Sequence, residues 1–300
     1  MGTLTKQIYR YTHPRSMRHN ENLWPYIKIQ RDEFGAISEL FYKSSQIPLQ
    51  NLSTLRGSYN GRVLLIATGP SIKKIDFSSI PKLPTIGVNG AWSLHKEVDF
   101  NIYIIVDMTF IDNRPEFLEK IIAKSDLTLF TTMHGIIKIV DRFSMNNIKC
   151  KLVVIEDKCY KIYEKKILSD NVKKTFTSHQ DILFLKNSDR IAFNYDIRTG
   201  VFDAGTVVYW SLQILAFLGF NKIYIAGLDM NNFSKPRFYE TTDNMLPSFL
   251  NEKLHDIIIP AFTLASQALR NKNIEVINLS QDSAIPSYIF PKLDYRDAFK

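Results

Sequence analysis

Arg62-Val63-Leu64-Leu65-Ile66-Ala67-Thr68-Gly69-Pro70-Ser71-Ile72 is the stretch that decides how this chain is read. An apolar run, β-branched at Val63 and Ile66, ends abruptly at Thr-Gly-Pro-Ser. Such a run suits a central parallel strand covered on both faces. Gly69 lets the backbone turn and approach a ligand without a Cβ in the way. Pro70 presets φ at the first position of a turn or helix, and Ser71 offers a hydroxyl and a free backbone N–H. A strand entering a glycine turn and then a helix is how open α/β sheets present amide donors to phosphate. A plain strand and turn with no ligand fits this segment alone equally well.

The pattern around it repeats. Ile75–Pro81 reads as a short helix or turn, and 85–88 as a second strand ending at Asn89-Gly90. Strands follow at 101–106, ending at Asp107, at 127–132 and at 151–155, with helices at 115–124 and 134–143 between them. Residues 203–220 are apolar nearly all round and stop at Gly219, the mark of a buried helix whose start, Gly205-Thr206, presents free N–H groups to an anion. A strand at 222–227 delivers Asp229, a polar loop spans 231–248, a helix runs from about 250 to 269, and a last strand covers 274–279. Strand, polar residue and helix in alternation predict an α/β, Rossmann-like, mostly parallel sheet with helices on both faces. Thr68, Gly69, Pro70, Ser71, Asn89, Asp107 and Asp229 then fall at strand ends, where such sheets bind ligands.

Two segments lie outside the pattern. Residues 1–60 are polar, basic and dotted with aromatics, with a hairpin expected to turn at Glu33-Phe34-Gly35. They read as an N-terminal extension, or an arm for an acceptor or partner, beside a main domain at 61–300. Residues 156–200 are irregular and charged, as in a lid or an insertion.

Composition sets the bounds. The chain has 300 residues, enough for one large core, and 45% hydrophobic content argues against disorder. Cys150 and Cys159 make neither a disulfide framework nor a zinc pattern, which suits a reducing compartment and a cytoplasmic location. The N-terminus has no apolar signal region, and no uncharged apolar run is long enough to span a bilayer. The net charge of +8 collects before residue 75 and between Lys158 and Lys174. With no nucleic-acid motif to accompany it, an acidic glycolipid or a membrane face ranks above nucleic acid.

Several chemistries are unsupported by motif. The three-glycine dinucleotide fingerprint, a Walker Gly-Lys-Ser/Thr, a Gly-x-Ser-x-Gly elbow, an Asp-x-Asp triplet and metal-spaced His/Cys clusters are all missing from the sequence. What remains suits a nucleotide-linked donor bound without metal or other cofactor. Arg237 or Tyr239 would then steady a leaving phosphate. Each has a plainer reading: Asn89-Gly90 as a turn pair, Asp229 as a cap, Arg237 as a surface partner of Glu240. Trp24, Trp92 and Trp210 read as core, and nothing lifts His134 or His179 above background.

Residues Ile66 to Asp76, with Ile80-Pro81 and Val88-Asn89, resemble the opening of bacterial single-domain sialyltransferases that use CMP-sialic acid. Thr206 to Gly219 and Lys222 to Asp229 look like the helix and strand that follow in that family. The chain is more similar to the lipopolysaccharide-core transferases that add a side-branch Kdo (3-deoxy-manno-octulosonic acid). Their ordered motifs stand here as Gly227-Leu228-Asp229, Arg237-Phe238-Tyr239, Met245-Leu246-Pro247-Ser248 and Leu279-Ser280-Gln281-Asp282-Ser283-Ala284-Ile285.

The likeness covers about 61–290. It implies a GT-A-variant, sialyltransferase-like fold and an inverting displacement in which an acceptor hydroxyl attacks the anomeric carbon as CMP leaves. It also implies that Thr68, Gly69, Pro70, Ser71 and Asn89 contact CMP, and that Thr206 lies near the donor carboxylate or phosphate. Asp107 occupies the place of a donor-touching Asn. Tyr239, helped by Arg237, would steady the phosphate, and His255 falls where the sialyltransferases keep a general base. Asp107, Glu240 and Asp256 compete for that role. The expected partners are a CMP-sugar donor, a lipopolysaccharide or other glycolipid acceptor and, peripherally, the inner-membrane surface. Alternatives are a sialyl- or pseudaminic-type transferase, a pterin diphosphokinase-like enzyme and a non-catalytic glycolipid-binding module.

Overall fold

The computed structural model describes residues 3–231 and 233–300. The chain opens with helix α1 (Thr3–Thr12) and a 3-10 turn at Arg15–Asn20. An antiparallel sheet follows, β1 (Ile27–Arg31), β2 (Ile37–Tyr42) and β3 (Ser45–Ile47). The hairpin turns at Asp32–Gly35, where Asp32 Oδ1 accepts the amides of Phe34 and Ala36 at 3.0 Å. The third strand was not expected from the sequence.

The main sheet takes β4 (Arg62–Ile66), β5 (Thr85–Val88) and β6 (Ile102–Ile105), then helices α2 (Met108–Asn113) and α3 (Pro115–Ala123). It continues with β7 (Thr128–Thr131), helix α4 (Met133–Phe143) and β8 (Lys151–Val154). Helix α5 (Val172–Phe176) and the hairpin β9 (Ile182–Phe184) and β10 (Ala192–Asn194) lead to helix α6 (Val207–Leu218) and β11 (Lys222–Ala226). The chain ends with α7 (Leu250–Lys253), α8 (Ile259–Asn271), β12 (Glu275–Asn278) and α9 (Tyr295–Ala298).

Seven strands pair in the order β12-β11-β4-β5-β6-β7-β8, and every pairing is parallel. The order reverses between β4 and β11. From β4 the chain builds one half of the sheet outward, and it returns to lay β11 on the other side. That switch point opens a crevice at the carboxyl ends of the two strands.

Alternation along β4 supplies both layers. Val63 and Leu65 join α6, α8 and the 182–202 region on one face, while Leu64 and Ile66 join α2, α3, α4 and the N-terminal sheet on the other. Helix α6 is buried on nearly every side. Thr206 caps its start and Gly219, at φ +103°, ends it in the left-handed conformation.

Three expectations change in detail. The residues after Thr68-Gly69 form a single 3-10 turn, Pro70–Lys74, because Asp76 opens a second turn at Phe77–Ser79 by accepting the Ser78 amide. The 156–200 segment is largely structured. Its Ile182, Ile191 and Phe193 belong to the α6 and α8 core, and none of its residues line the main cleft. The helix expected over 250–269 contains a π-turn at Leu254–Ile258. Pro260 has no N–H to offer the Asp256 carbonyl, so the helix widens there, and Arg190 Nη2 donates to that carbonyl instead at 3.3 Å.

Candidate active site

The crevice between β4 and β11 widens into a cleft of about 380 Å³. It is lined by Thr68, Gly69, Pro70, Asn89, Asp107, Gly205, Thr206, Asp229 and Arg237, all anticipated from sequence. Ser71, Tyr239 and His255 stand outside the lining.

The loop amides differ from the expected phosphate cradle. Gly69 N–H donates to Gly227 O at 2.9 Å, and Ser71 N–H donates to Asp229 Oδ2 at 2.8 Å. Ser71 Oγ donates to Asp229 Oδ1 and lies 2.8 Å from Ser280 Oγ. These bonds pin the β4 loop to the end of β11, so the Ser71 amide is not free for an anion. Gly69 is needed because a Cβ there would sit 2.4 Å from Asp229 Oδ2 and 2.6 Å from Gly227 O. Close approach of two protein loops, more than of a ligand, fixes this glycine.

Asp229 is a buried strut. The Ala284 amide donates to its carbonyl at 2.7 Å, while Ser283 Oγ donates to Leu228 O at 2.6 Å and Asn278 Nδ2 to the same carbonyl at 3.2 Å. The segment Leu279 to Ile285 therefore buttresses Gly227-Leu228-Asp229. Two motifs far apart in sequence are one piece of packing.

Asn89 is held in the left-handed region at φ +46°, with its carbonyl accepting Tyr103 Oη at 2.6 Å. Its Oδ1 is buried with no hydrogen-bond partner among the described residues. Asn89-Gly90 is not a free turn pair but the start of a 3-10 helix. A Cβ on Gly90 would lie 2.1–2.3 Å from the Tyr239 ring, which fills the space beneath. Burial pushes the Tyr239 hydroxyl up to about 12, against the pull of the Arg237 and Arg114 charges. Tyr239 thus stays protonated and shapes the wall at Asn89.

Arg237 reaches the cleft from the 231–248 loop. Its amide donates to Glu240 Oε2 at 3.0 Å and its Nη1 to Glu240 Oε1 at 2.8 Å and to Leu246 O at 3.2 Å. Glu240 has a fully buried side chain and also accepts the Leu246 amide at 3.3 Å. The pair is therefore a buried clamp on the loop and not the surface pair of the plainer reading. A carboxylate so engaged is not available as a base.

His255 lies exposed on the π-turn, next to Asp256, and neither lines the cleft. Four carboxylates line it, and with Asp229 held by Ser71 and Glu240 by Arg237 and Leu246, the two left to meet a ligand are Asp107 and Asp203. Asp107 Oδ1 caps α2 through the Thr109 amide at 2.8 Å, and Asp203 Oδ1 accepts Trp210 Nε1 at 2.7 Å. In each, the second oxygen accepts no hydrogen bond among the described residues. Thr206 Oγ1 accepts the Val208 amide at 3.3 Å, so the cap takes one of the N–H groups expected to meet an anion.

Sequence reading missed Asp203 and two cations. Lys235 and Lys253 line the cleft, and Lys253 lies along Gly205, its Cδ 2.9 Å from where a Cβ would be. Neither lysine has an ion-pair partner among the described residues. The signal was present in Lys235-Pro236-Arg237, a cationic pair set in a loop by proline. Lys253 looks like an ordinary first-turn residue until α7 is docked. Of the three tryptophans, Trp92 and Trp210 are buried, while Trp24 is only half-buried.

A doubly wound parallel sheet with a polar, cation-edged crevice at its switch point is the ligand site expected of an open α/β protein. Residues 45–296 match the family described as 3-deoxy-D-manno-octulosonic acid transferase WaaZ, and the chain belongs to that family. It is a glycosyltransferase of the CMP-ulosonate class acting on lipopolysaccharide core. No curated protein is matched by sequence.

Among solved structures, the chain is similar to the sialyltransferase CstII from Campylobacter jejuni in complex with a substrate analogue, cytidine-5'-monophosphate. Identity is 13%, coverage 78% of this chain and 85% of that one, and the TM-score 0.44. A sialyltransferase CST-II complex with trisaccharide acceptor and CMP gives 14%, 76%, 84% and 0.40. An alpha-2,3-sialyltransferase from Campylobacter jejuni in apo form gives 14%, 83%, 84% and 0.39.

Proposed function

We propose that the cleft at the β4–β11 switch holds CMP-Kdo and carries out an inverting, metal-independent transfer to a lipopolysaccharide core hydroxyl. The observation that carries this reading is the meeting of Lys235, Arg237 and Lys253 with the orphaned Asn89 Oδ1 in one crevice. An ulosonate donor brings a carboxylate and a phosphodiester, and Lys235 and Lys253 answer those charges, with Arg237 held beside them by Glu240. Asn89 Oδ1 accepts a hydroxyl or amino donor of the nucleotide, which satisfies an oxygen otherwise buried at a cost. Thr68, Pro70 and the Gly205-Thr206 corner frame the same ligand.

In the step itself the acceptor oxygen attacks the anomeric carbon from the face opposite the phosphate. The carbon–oxygen bond to phosphate breaks, CMP leaves with the electron pair, and the acceptor proton passes to a carboxylate. Asp107 and Asp203 are the candidates by placement, and they replace His255 in this role. Lys235 and Lys253 supply positive charge at the leaving phosphate, and Arg237, paired with Glu240, adds hydrogen-bond donors. The enzyme is proposed to work in the cytoplasm, peripherally at the inner membrane, where a lipid-linked acceptor resides.

CMP release is the direct test. The wild-type chain should release CMP from CMP-Kdo in the presence of core acceptor, not from CMP-sialic acid, and a chelator should not change the rate. Lys253→Ala should slow release by roughly 100-fold, the scale for one charged group at a developing anion. Release from neither donor would end the proposal. Between the carboxylates, the one whose Asn variant abolishes the acid limb of the rate profile is the base.

A further inference from the structure

Far along the chain from the cleft loops, α1 buries Tyr9, while Leu4, Ile8 and Tyr11 are 69%, 43% and 97% exposed. Their i, i+4, i+7 spacing sets them on one arc of the helix, turned away from the core. Just past α1, the Arg15–Asn20 turn packs beside residues 166–175, tied by Lys166 N–H to Ser16 O at 2.8 Å. Between them lies an open groove of about 880 Å³. Arg15, Arg18, Lys166 and Lys174 line it with no Asp or Glu, and Leu168 stands 55% exposed in its lining. None of the four cations has an ion-pair partner among the described residues. The two basic stretches of the sequence thus meet in space, and the chain enters them directly from α1 with its uncovered apolar arc.

We propose that α1 and this groove dock the enzyme on an anionic lipid bilayer. Leu4, Ile8 and Tyr11 enter the boundary between headgroups and acyl chains, and the four cations lie on lipid phosphates. The proposal rests on the reading of a lipid-linked acceptor and adds where the protein meets the membrane. Confining enzyme and acceptor to one surface raises their encounter rate. A second copy of the chain fits this face poorly. Two-fold pairing would set the cations against their own images with no carboxylate to answer them.

The test is sedimentation of the full chain with vesicles of phosphatidylcholine alone or with phosphatidylglycerol added, at low and high salt. Pelleting is expected with the anionic vesicles only, and should weaken as salt screens the contact. Leu4→Glu with Ile8→Glu should abolish it, and Arg15→Ala with Lys174→Ala should weaken it roughly 30-fold, two increments of the usual gain per basic residue.

All four side chains are exposed, so these variants should release CMP at the wild-type rate with a deacylated, water-soluble core oligosaccharide. That control separates loss of docking from failure of the transferase reading. No pelleting with either vesicle, or unchanged pelleting of the Leu4/Ile8 variant, would overturn the proposal. Weaker oligosaccharide binding by the Arg15/Lys174 variant, with vesicle binding intact, would assign the groove to the acceptor glycan and also overturn it.

Discussion

At the scale of single residues, side chains that look like ligand contacts are partly struts. Gly69 and Ser71 sit at a strand end, as sequence indicates, yet their amides are spent on Gly227 and Asp229. A linear sequence shows the strand end but not which distant loop arrives there, so strut and ligand contact look alike. Gly69→Ala tests the reading. Its Cβ would meet Asp229 Oδ2 and the Gly227 carbonyl, neither the end of a long flexible chain, so a loss of about 2–3 kcal/mol is expected, read as a lower thermal midpoint.

A second prediction concerns Asp157, whose carboxyl is pushed up to about 7 by burial, against the Cys159 amide that favours the anion and with the Asp203 charge adding to the rise. Its folded value lies above the unfolded 3.8, so the native state holds the extra proton. Stability should therefore fall as pH climbs from about 4 to 7 and level off above that. Asp157→Asn keeps an oxygen for the Cys159 amide at 2.7 Å and removes the charge. Denaturant titrations across this range should lose most of the slope, with a gain on the order of 1–2 kcal/mol at pH 8. A variant with the wild-type slope would show that another group carries it.

At the scale of elements, the parallel strands are legible because each is a short apolar run closed by a polar residue, and their parallel direction follows from the alternation with helices, whereas the return of β11 to the side of β4 is visible only in the fold. Helix α6 is legible too, as an apolar block between Thr206 and Gly219. The π-turn is not, because a proline inside a helical pattern reads as a boundary or a kink, and the widening depends on Arg190 arriving from elsewhere. The cladding at 156–200 is illegible for a related reason. Its apolar residues come in two short runs, 182–185 and 191–193, set among charged stretches, and only the α6 and α8 surfaces give them a place. The 231–248 loop reads only as polar in sequence, and the clamp that Glu240 makes on it is visible only in the structure.

Glu240→Ala should release that clamp, leaving the Arg237 and Leu246 amides without their acceptor. Protease should then cut the loop readily, and the Michaelis constant for the donor should rise roughly 10-fold, about 1.4 kcal/mol. The thermal midpoint should move less than for Gly69→Ala, since the loop contributes little to either core. A cleavage pattern identical to wild type would mean that the aromatic packing of Phe238 and Tyr239 holds the loop unaided.

At the scale of the whole molecule, the first sixty residues and the sheet share one core. Leu23, Ile27, Leu40 and Ile47 pack in the same cluster as Leu64, Ile105 and Leu129. The join is also ionic. Arg31 Nη2 donates to Glu156 Oε1 at 2.9 Å and to the Ile162 carbonyl at 3.0 Å, and Glu156 takes the Ile162 amide at 2.8 Å. Glu156 has a side chain only 7% exposed, so the pair sits where desolvation costs most. Arg31→Ala should cost about 3–5 kcal/mol, because it strands a buried carboxylate. Replacing both partners, Arg31→Met with Glu156→Leu, should recover most of the loss, since two apolar groups need no mutual attraction to tolerate burial. Calorimetry should give one cooperative transition for the wild type and for both variants, and a chain lacking residues 1–60 should not fold stably. Two separate transitions in the wild type would make the extension an independent unit, and the shared core would then add nothing to its stability.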